Sequence, residues 1–150
     1  MEITRHFTAT TFVVYQGKTL LHLHRSLKMW LPPGGHIDRD ELPHVAALRE
    51  VKEETGLHVE LIHTAPGIHS QNAREIPGPT HLLLENINPF HQHIDMIYFA
   101  RATTFDVTPD AGESIELKWF DAEQLEGDEI ENDIRLLGKE AIALLSNTGA

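Results

Sequence analysis

Three glutamates crowd one end of a short segment that begins with a glycine pair. Gly34 and Gly35 start this segment, and Glu50, Glu53 and Glu54 lie near its end. Carboxylate oxygens are ligands for hard divalent cations, and Mg²⁺ usually combines a few protein carboxylates with water and substrate phosphate. The residue types and their spacing therefore point to metal and phosphate chemistry together.

A helix is expected to hold the three glutamates on one side. Pro43 suits the first turn of a helix and Gly56 suits the position after its end, so we predict a helix from roughly Pro43 to Thr55. At about 100° per residue, the three glutamates share one side of this helix. A neighbouring side consists of Ala47, Leu48, Val51 and Thr55.

The acidic side of this helix has two interpretations. Most charge runs on helices are solvated faces, and that interpretation requires no ligand. Glu53 and Glu54, however, lie at the C-terminal end, where the helix dipole disfavours anions, and Glu50 repels both from three and four residues away. A bound cation would turn this repulsion into binding, which favours a functional site.

A longer pattern around the glutamates resembles a known family signature. Gly35 is followed after five residues by Glu41, and seven further residues lead to the run Arg49-Glu50-Val51-Lys52-Glu53-Glu54-Thr55-Gly56-Leu57. This pattern looks like a complete Nudix box, and the preceding Trp30-Leu31-Pro32-Pro33-Gly34 resembles the family's approach to it. The resemblance implies an α/β fold, the Nudix-type α/β/α sandwich with a mixed sheet and a loop-helix-loop catalytic motif.

The resemblance also implies an activity and roles for residues of the box. The implied enzyme is a Mg²⁺-dependent hydrolase, with Mn²⁺ as an alternative metal, that cleaves the pyrophosphate bond of a nucleoside diphosphate linked to another group X. Its metal ligands would be Glu50, Glu53, Glu54 and the carbonyl of Gly34. Glu50 is either a ligand or the general base, and Arg49 orients Glu50 or Glu53. Glu41 is a supporting carboxylate.

An acidic loop near the end of the chain offers one more carboxylate. In the family that the chain resembles, such a loop carboxylate often completes the metal set or serves as the base. Glu113 is the first choice for this catalytic role and Glu116 is the second. A solvated acid is the alternative for each.

Four further residues are candidates for binding the substrate. Arg25 and Lys28 lie just upstream of the glycine pair, where they either meet a phosphate or form ordinary surface. His93 and Asp95 point to the same side of a predicted strand. They either line the substrate pocket or belong to an exposed strand end.

Alternating and β-branched stretches predict strands around the helix. We expect a hairpin over residues 3–15 and 19–25, followed later by strands over residues 57–63, 81–85, 92–103 and 115–120. A last helix begins at Asp128 or Asn132, and its apolar stripe consists of Ile134, Leu137, Ile142 and Leu145. The long irregular segment over residues 65–80 is a candidate functional loop.

Two histidines with i,i+2 spacing lie on the second strand of the predicted hairpin. His22 and His24 offer imidazole ligands for a metal, but the sequence fixes no third ligand for them. The alternative is a polar face near a substrate cleft or solvent.

Composition limits the partners of the chain. Its 150 residues suit one domain over 1–150. With 23 acidic and 12 basic residues, the net charge of -11 repels nucleic-acid polymers, whereas small phosphorylated substrates are compatible with a bound metal that inverts the local field. The resemblance implies a small-molecule nucleotide as the substrate. The first residues lack the pattern of a signal peptide and no apolar run approaches membrane-spanning length, so we expect a cytoplasmic protein with no membrane partner. The absence of cysteine excludes disulfides.

The choice of substrate depends on signatures that the sequence lacks. The proline associated with ADP-ribose hydrolases would fall near Asn72, and the tyrosine associated with dinucleoside polyphosphate hydrolases would fall near residues 73–75. Neither is present, and nothing matches the coenzyme A or NADH signatures, so nucleoside triphosphates, including oxidised ones, are the first hypothesis. The alternatives are an ADP-ribose or other nucleotide-conjugate pyrophosphatase, a non-catalytic nucleotide sensor, and a protein whose histidines buffer transition metals. The resemblance is also compatible with a homodimer.

Overall fold

The described residues form a mixed β-sheet with a helix against each face. A computed structural model describes residues 2–63, 67–110 and 116–146. Within these ranges the strands are β1 (Thr4–Tyr15), β2 (Lys18–His24), β3 (Met29–Leu31), β4 (Gly34–His36), β5 (Glu60–Ile62), β6 (His81–Asn88), β7 (His91–Arg101) and β8 (Glu116–Asp121). The helices are α1 (Pro43–Thr55) and α2 (Asn132–Ser146), and a 3₁₀ turn covers Gln124–Glu126. The predicted α/β class is confirmed. None of the helices in these ranges is both long and apolar enough to cross a membrane.

Strand β1 is central to the sheet and positions the glycine pair. The strand order is β3-β2-β1-β7-β5, with β1 and β7 parallel. Strand β2 pairs with β1 only beside the hairpin turn, at Val14 and Tyr15. Further along, β4 takes the same edge of β1, where Gly34 pairs with Thr10 and Gly35 with Ala9. The glycine pair is therefore fixed to the middle strand of the sheet.

Alternation along β1 and β7 separates two cores. Phe12 and Phe99 face α2, where the predicted stripe of Ile134, Leu137, Ile142 and Leu145 is buried as expected. Ala9 and Tyr98 lie on the opposite face and pack against α1. Each large side chain that is fully buried stabilises the fold by about 1.5–3 kcal/mol. The small side chain of Ala9 lets α1 lie close to β1.

The buried side of α1 differs at one position from the side that the sequence described as Ala47, Leu48, Val51 and Thr55. Its buried residues are Ala46, Ala47, Val51 and Thr55, whereas Leu48 is 36% exposed. Ala47, Val51 and Thr55 belong to the side described from the sequence, and Ala46 takes the buried position beside them instead of Leu48. Because residues four apart share a row on a helix, Ala46, Glu50 and Glu54 form one row, and the structure turns this row toward β4. The row that contains Leu48 therefore faces solvent.

Two strand boundaries also differ from the predictions. The strand after α1 covers only Glu60–Ile62, because Leu57 packs into the core beside Val51 instead of joining the sheet. Strand β6 continues to Asn88 through an irregularity, so the turn before β7 is shorter than predicted. The side chain of Asn88 accepts a hydrogen bond from the N–H of Phe90, which stabilises this short turn.

Candidate active site

Helix α1 begins and ends where the sequence predicted, and its C-terminus fixes two of the glutamates. Pro43 occupies the first turn, and Gly56 follows the last residue with φ at 78°. The N–H of Gly56 donates to the carbonyl of Lys52 at 2.9 Å and closes the helix. Glu53 and Glu54 therefore lie in the last helical turn, directly before a backbone reversal.

Two glutamates of α1 contact the glycine pair directly. Oε2 of Glu54 accepts a hydrogen bond of 3.0 Å from the N–H of Gly34. A Cβ atom added to Gly35 would lie 2.5 Å from Oε1 of Glu50, so this carboxylate packs against the glycine and would have to move if a larger residue stood there. The helix and the glycine loop are thus joined through their functional groups.

Arg49 connects the carboxylates of the box to one another. Its guanidinium donates to both oxygens of Glu41, with Nε to Oε2 at 2.8 Å and Nη2 to Oε1 at 3.0 Å. Nη1 donates to Oε1 of Glu50 at 3.0 Å and lies 3.3 Å from Oε2 of Glu53. Nη2 also donates to the carbonyl of His36 at 3.1 Å, which ties α1 to β4.

These contacts shift the protonation equilibria of both partners. The hydrogen bond from Arg49 holds the pKa of Glu41 below its usual value. The same hydrogen bond to Glu41, with the charge of Glu50, raises the pKa of Arg49 above its usual value. Both groups therefore remain charged at neutral pH.

The site has more negative charge than its arginine can neutralise. Arg49 forms ion pairs with four carboxylates, those of Asp38, Glu41, Glu50 and Glu53. A fifth carboxylate, that of Glu54, lies beside the glycine pair. An excess of oxygen donors of this kind fits a hard divalent cation, for which Glu50, Glu53 and Glu54 are suitable ligands.

Glu50, Glu53 and Glu54 do not form a compact set of metal ligands in this structure. Among residues 2–63, 67–110 and 116–146, the one set of three potential ligands whose atoms all lie within 4.8 Å of one another is His6, His36 and His91. Arg49 lies between Glu50 and Glu53, while Glu54 binds the backbone of Gly34. A cation in this site would therefore compete with Arg49 for the glutamate oxygens.

The other predicted site residues lie in different environments. Arg25 and Lys28 are exposed in the turn between β2 and β3. Asp95 is 3% exposed and accepts hydrogen bonds from the hydroxyls of Thr8 and Thr10 at 2.9 and 2.8 Å. Asp95 therefore anchors β7 to β1, and a contact with substrate stays a prediction.

His93 lies two residues before Asp95 and is half-buried. Its burial, with the neighbouring His36 and His91, lowers the pKa of His93. Glu113, the first choice for a loop carboxylate, lies outside the described residues, and Glu116 is exposed at the start of β8. The proposed roles of these residues stay predictions.

A second carboxylate contacts Asp95 and was not singled out from the sequence. Burial, followed by the hydrogen bond and the charge of Asp95, raises the pKa of Glu85 to about 8. The register pairs Glu85 with His93, so this acid lies on the same face of the sheet. The sequence placed Glu85 at the end of a predicted strand but did not show its neighbour.

An open cavity of about 540 Å³ lies beside the glycine pair. It is lined by Arg5, His6, Phe7, His36, Ile37, Asp38, Pro43 and Met96. None of these residues was predicted to bind substrate, although His36, Ile37 and Asp38 directly follow Gly35 in the sequence. Arg25, Lys28, His93 and Asp95 do not line this cavity.

Comparison with known proteins identifies the family. The family model of the NUDIX domain matches residues 4–138. A solved hydrolase of the NUDIX family from Clostridium perfringens is 39% identical and superposes with a TM-score of 0.84, over 95% of this chain and 99% of that one. A MutT protein from Methanosarcina mazei Go1 (19% identity, TM-score 0.68, 99% and 97% coverage) and a MutT NUDIX hydrolase from Burkholderia pseudomallei (20%, 0.60, 93% and 97%) share the fold. The chain therefore belongs to the NUDIX family and is a Nudix-type pyrophosphohydrolase.

Proposed function

We propose that this protein hydrolyses the pyrophosphate bond of a nucleoside diphosphate linked to a group X, with Mg²⁺ as its metal. The observation that carries this proposal is the arrangement of the glutamates around the glycine pair. Glu54 accepts a hydrogen bond from Gly34, and Glu50 packs against Gly35. Arg49 donates to both Glu50 and Glu53. Nudix hydrolases act on small nucleotide substrates and use divalent cations. Mn²⁺ is the alternative metal for the same oxygen donors.

The carboxylates of the site have two roles at the reacting phosphate, metal binding and proton transfer. Glu50, Glu53 and Glu54, with the carbonyl of Gly34, would hold the metal, which supplies charge neutralisation for phosphate oxygens and a more acidic water. A carboxylate takes the proton as water attacks phosphorus and the bridging P–O bond breaks, and Glu50 or Glu113 is the candidate for that role.

Arg49 acts as a positioning residue beside these groups. Its bidentate contact with Glu41 fixes the plane of the guanidinium, so that Nη1 reaches Glu50 and Glu53 together. Glu41 therefore supports the site through Arg49. Both residues set where the glutamate oxygens lie before substrate binds.

The cavity beside the glycine pair supports a nucleotide as substrate. Its volume of about 540 Å³ lies within the range of small-molecule sites. Phe7 is 53% exposed and offers an aromatic face for a base, while Arg5 brings a positive charge for a phosphate. Nucleoside triphosphates, including oxidised ones, are the first candidates, and ADP-ribose or another nucleotide conjugate is the alternative.

Replacement of two glutamates tests the hydrolytic site. We expect the double variant Glu53→Gln/Glu54→Gln to lose two or more orders of magnitude in Mg²⁺-dependent turnover, because amides bind Mg²⁺ poorly and cannot take a proton. Glu131→Gln, an exposed glutamate at the start of α2, is the matched control and should keep full turnover. Circular dichroism checks that both variants are folded. Unchanged turnover in the folded double variant would refute the assignment.

A product-resolved screen identifies the substrate and separates an enzyme from a sensor. Nucleoside triphosphates, ADP-ribose and dinucleoside polyphosphates are each incubated with the protein and Mg²⁺, and the products are separated by chromatography. An enzyme releases two phosphorylated products from at least one of them. A non-catalytic sensor binds a nucleotide in calorimetry but releases none.

A further inference from the structure

Four histidines from three strands meet next to the glycine pair. His6 is on β1, His36 is on β4, and His91 and His93 are on β7. In the sheet register His6 pairs with His93. His36 pairs with Thr8, which lies two residues after His6 on β1. Since side chains alternate along a strand, all four histidines point to the same face of the sheet.

Three of these histidines have the spacing of a ligand set. His6, His36 and His91 each offer a ring nitrogen, and these nitrogens all lie within 4.8 Å of one another. Around a tetrahedral Zn²⁺ with Zn–N bonds of about 2.0–2.1 Å, ligand nitrogens lie about 3.4 Å apart. His6 and His36 are exposed and His91 is half-buried, so small rotations of the side chains can close this difference.

We propose that His6, His36 and His91 bind a transition-metal cation of the Zn²⁺ class, with a fourth position open to solvent. Neutral imidazole is a preferred ligand of Zn²⁺ and its neighbours in the first transition row, whereas Mg²⁺ selects oxygen. The histidine site is therefore chemically distinct from the glutamate site on α1. The net charge of -11 raises the local concentration of any cation near this surface.

The fourth histidine restricts the orientation of its neighbours. The ring of His93 packs edge-on against His91 at 4.9 Å and against His36 at 5.0 Å between ring centroids. His6 contacts His91 at 4.6 Å and His36 at 5.3 Å in the same edge-on manner. Ring packing limits the rotamers that His36 and His91 can adopt, which lowers the entropic cost of binding an ion.

A metal ion bound at the histidine site would connect three strands at the edge of the cavity. His6 and His36 line the cavity beside the glycine pair, and the carbonyl of His36 accepts a hydrogen bond from Arg49. An ion held by the three histidines would link β4 and β7 to β1 at this edge of the cavity. The proposal does not depend on the hydrolase activity, and it is tested without nucleotide.

Metal titration of the untagged, nucleotide-free protein tests the proposal. Zn²⁺ binding is measured by calorimetry, and Co²⁺ is used as a spectroscopic probe because its visible absorption distinguishes a four-coordinate protein site from the hydrated ion. We expect one Zn²⁺ per chain, and at least tenfold weaker binding in His6→Gln and in His36→Gln, since loss of even an outer partner of a metal site costs about 10–100-fold in affinity. The control His58→Gln removes an exposed histidine after α1 and should bind Zn²⁺ as the unsubstituted protein does.

The glutamate variants separate the two sites. Glu53→Gln/Glu54→Gln should retain the Zn²⁺ site and its Co²⁺ spectrum, even though it loses hydrolysis. Absence of Zn²⁺ binding by the unsubstituted protein would overturn the proposal, as would unchanged affinity in both histidine variants or loss of Zn²⁺ binding in the glutamate variant. Because His6 and His36 are exposed on different strands, the two single variants provide independent tests, with circular dichroism confirming the fold of each.

Discussion

Replacing Arg49 by alanine should destabilise the protein because it leaves partly buried carboxylates without their cation. The side chains of Glu41 and Glu50 are only 13% and 14% exposed, and Arg49 donates three hydrogen bonds of 2.8–3.0 Å to them. Hydrogen bonds to charged groups contribute about 1.5–3 kcal/mol each when they are well shielded. The pairs with Glu53, 41% exposed, and Asp38, 68% exposed, add little because solvent screens them.

The expected loss for Arg49→Ala is about 2–4 kcal/mol at pH 7, since the three bonds act on connected groups and do not add fully. The pH dependence has a definite sign. Because Arg49 lowers the pKa of Glu41 in the folded state, this stabilisation is present above the unfolded pKa and is lost as pH falls through the lowered value. The difference between the two proteins should therefore shrink in acid.

Urea unfolding followed by circular dichroism at pH 7 and at about pH 3 measures both effects. Arg39→Ala is the matched control, since Arg39 is an exposed arginine in the loop before α1 and its loss should change stability by no more than about 0.5 kcal/mol. A loss below about 0.5 kcal/mol for Arg49→Ala at pH 7 would refute the account of Arg49 as the connecting group. A difference that widens in acid would refute the assigned role of Glu41.

Two further predictions concern the helix end and the half-buried acid Glu85. Gly56→Ala should cost about 2–4 kcal/mol in urea unfolding, because φ is 78° and an added Cβ would overlap the backbone carbonyl of Thr108. Gly17→Ala, with a similar φ of 75° but no atom within 4 Å of the added Cβ, should cost only about 1 kcal/mol, and equal losses would contradict the steric explanation. For Glu85, a pKa raised to about 8 means that the folded state keeps a proton that the unfolded state releases, so stability should fall from about pH 5 to pH 8. Glu85→Gln should match the unsubstituted protein near pH 5 and exceed its melting temperature near pH 8, and identical calorimetric profiles for the two proteins would contradict the shift.

The sequence by itself determined the local elements and the spacing of the residues to which the chemistry is assigned. The bounds of α1 depend on Pro43 and Gly56, whose backbone preferences act within one helical turn, and both bounds were predicted correctly. The spacing of Glu50, Glu53 and Glu54 likewise follows from helix geometry and the order of residues. The apolar stripe of α2 could be predicted for the same reason.

Which side of α1 is buried was not predictable from the helix alone. A periodic pattern showed one side with Leu48 and one with glutamates, but both Ala46 and Leu48 are compatible with burial. The fixed position of β4 on β1 decides the outcome, because Glu50 and Glu54 must face the glycine pair. Leu48 is left toward solvent as a consequence.

Only the tertiary structure decided which distant groups meet. Asp95 reaches the hydroxyl of Thr8 across 87 residues of chain because β1 and β7 are parallel neighbours, and the same pairing brings His6 to His91. Pairing of that kind depends on strand order and register, which are set by the burial of whole sheet faces and not by any local signal. The sequence therefore indicated the family of this protein, whereas the assembly of the sheet built the cavity and the histidine cluster beside it.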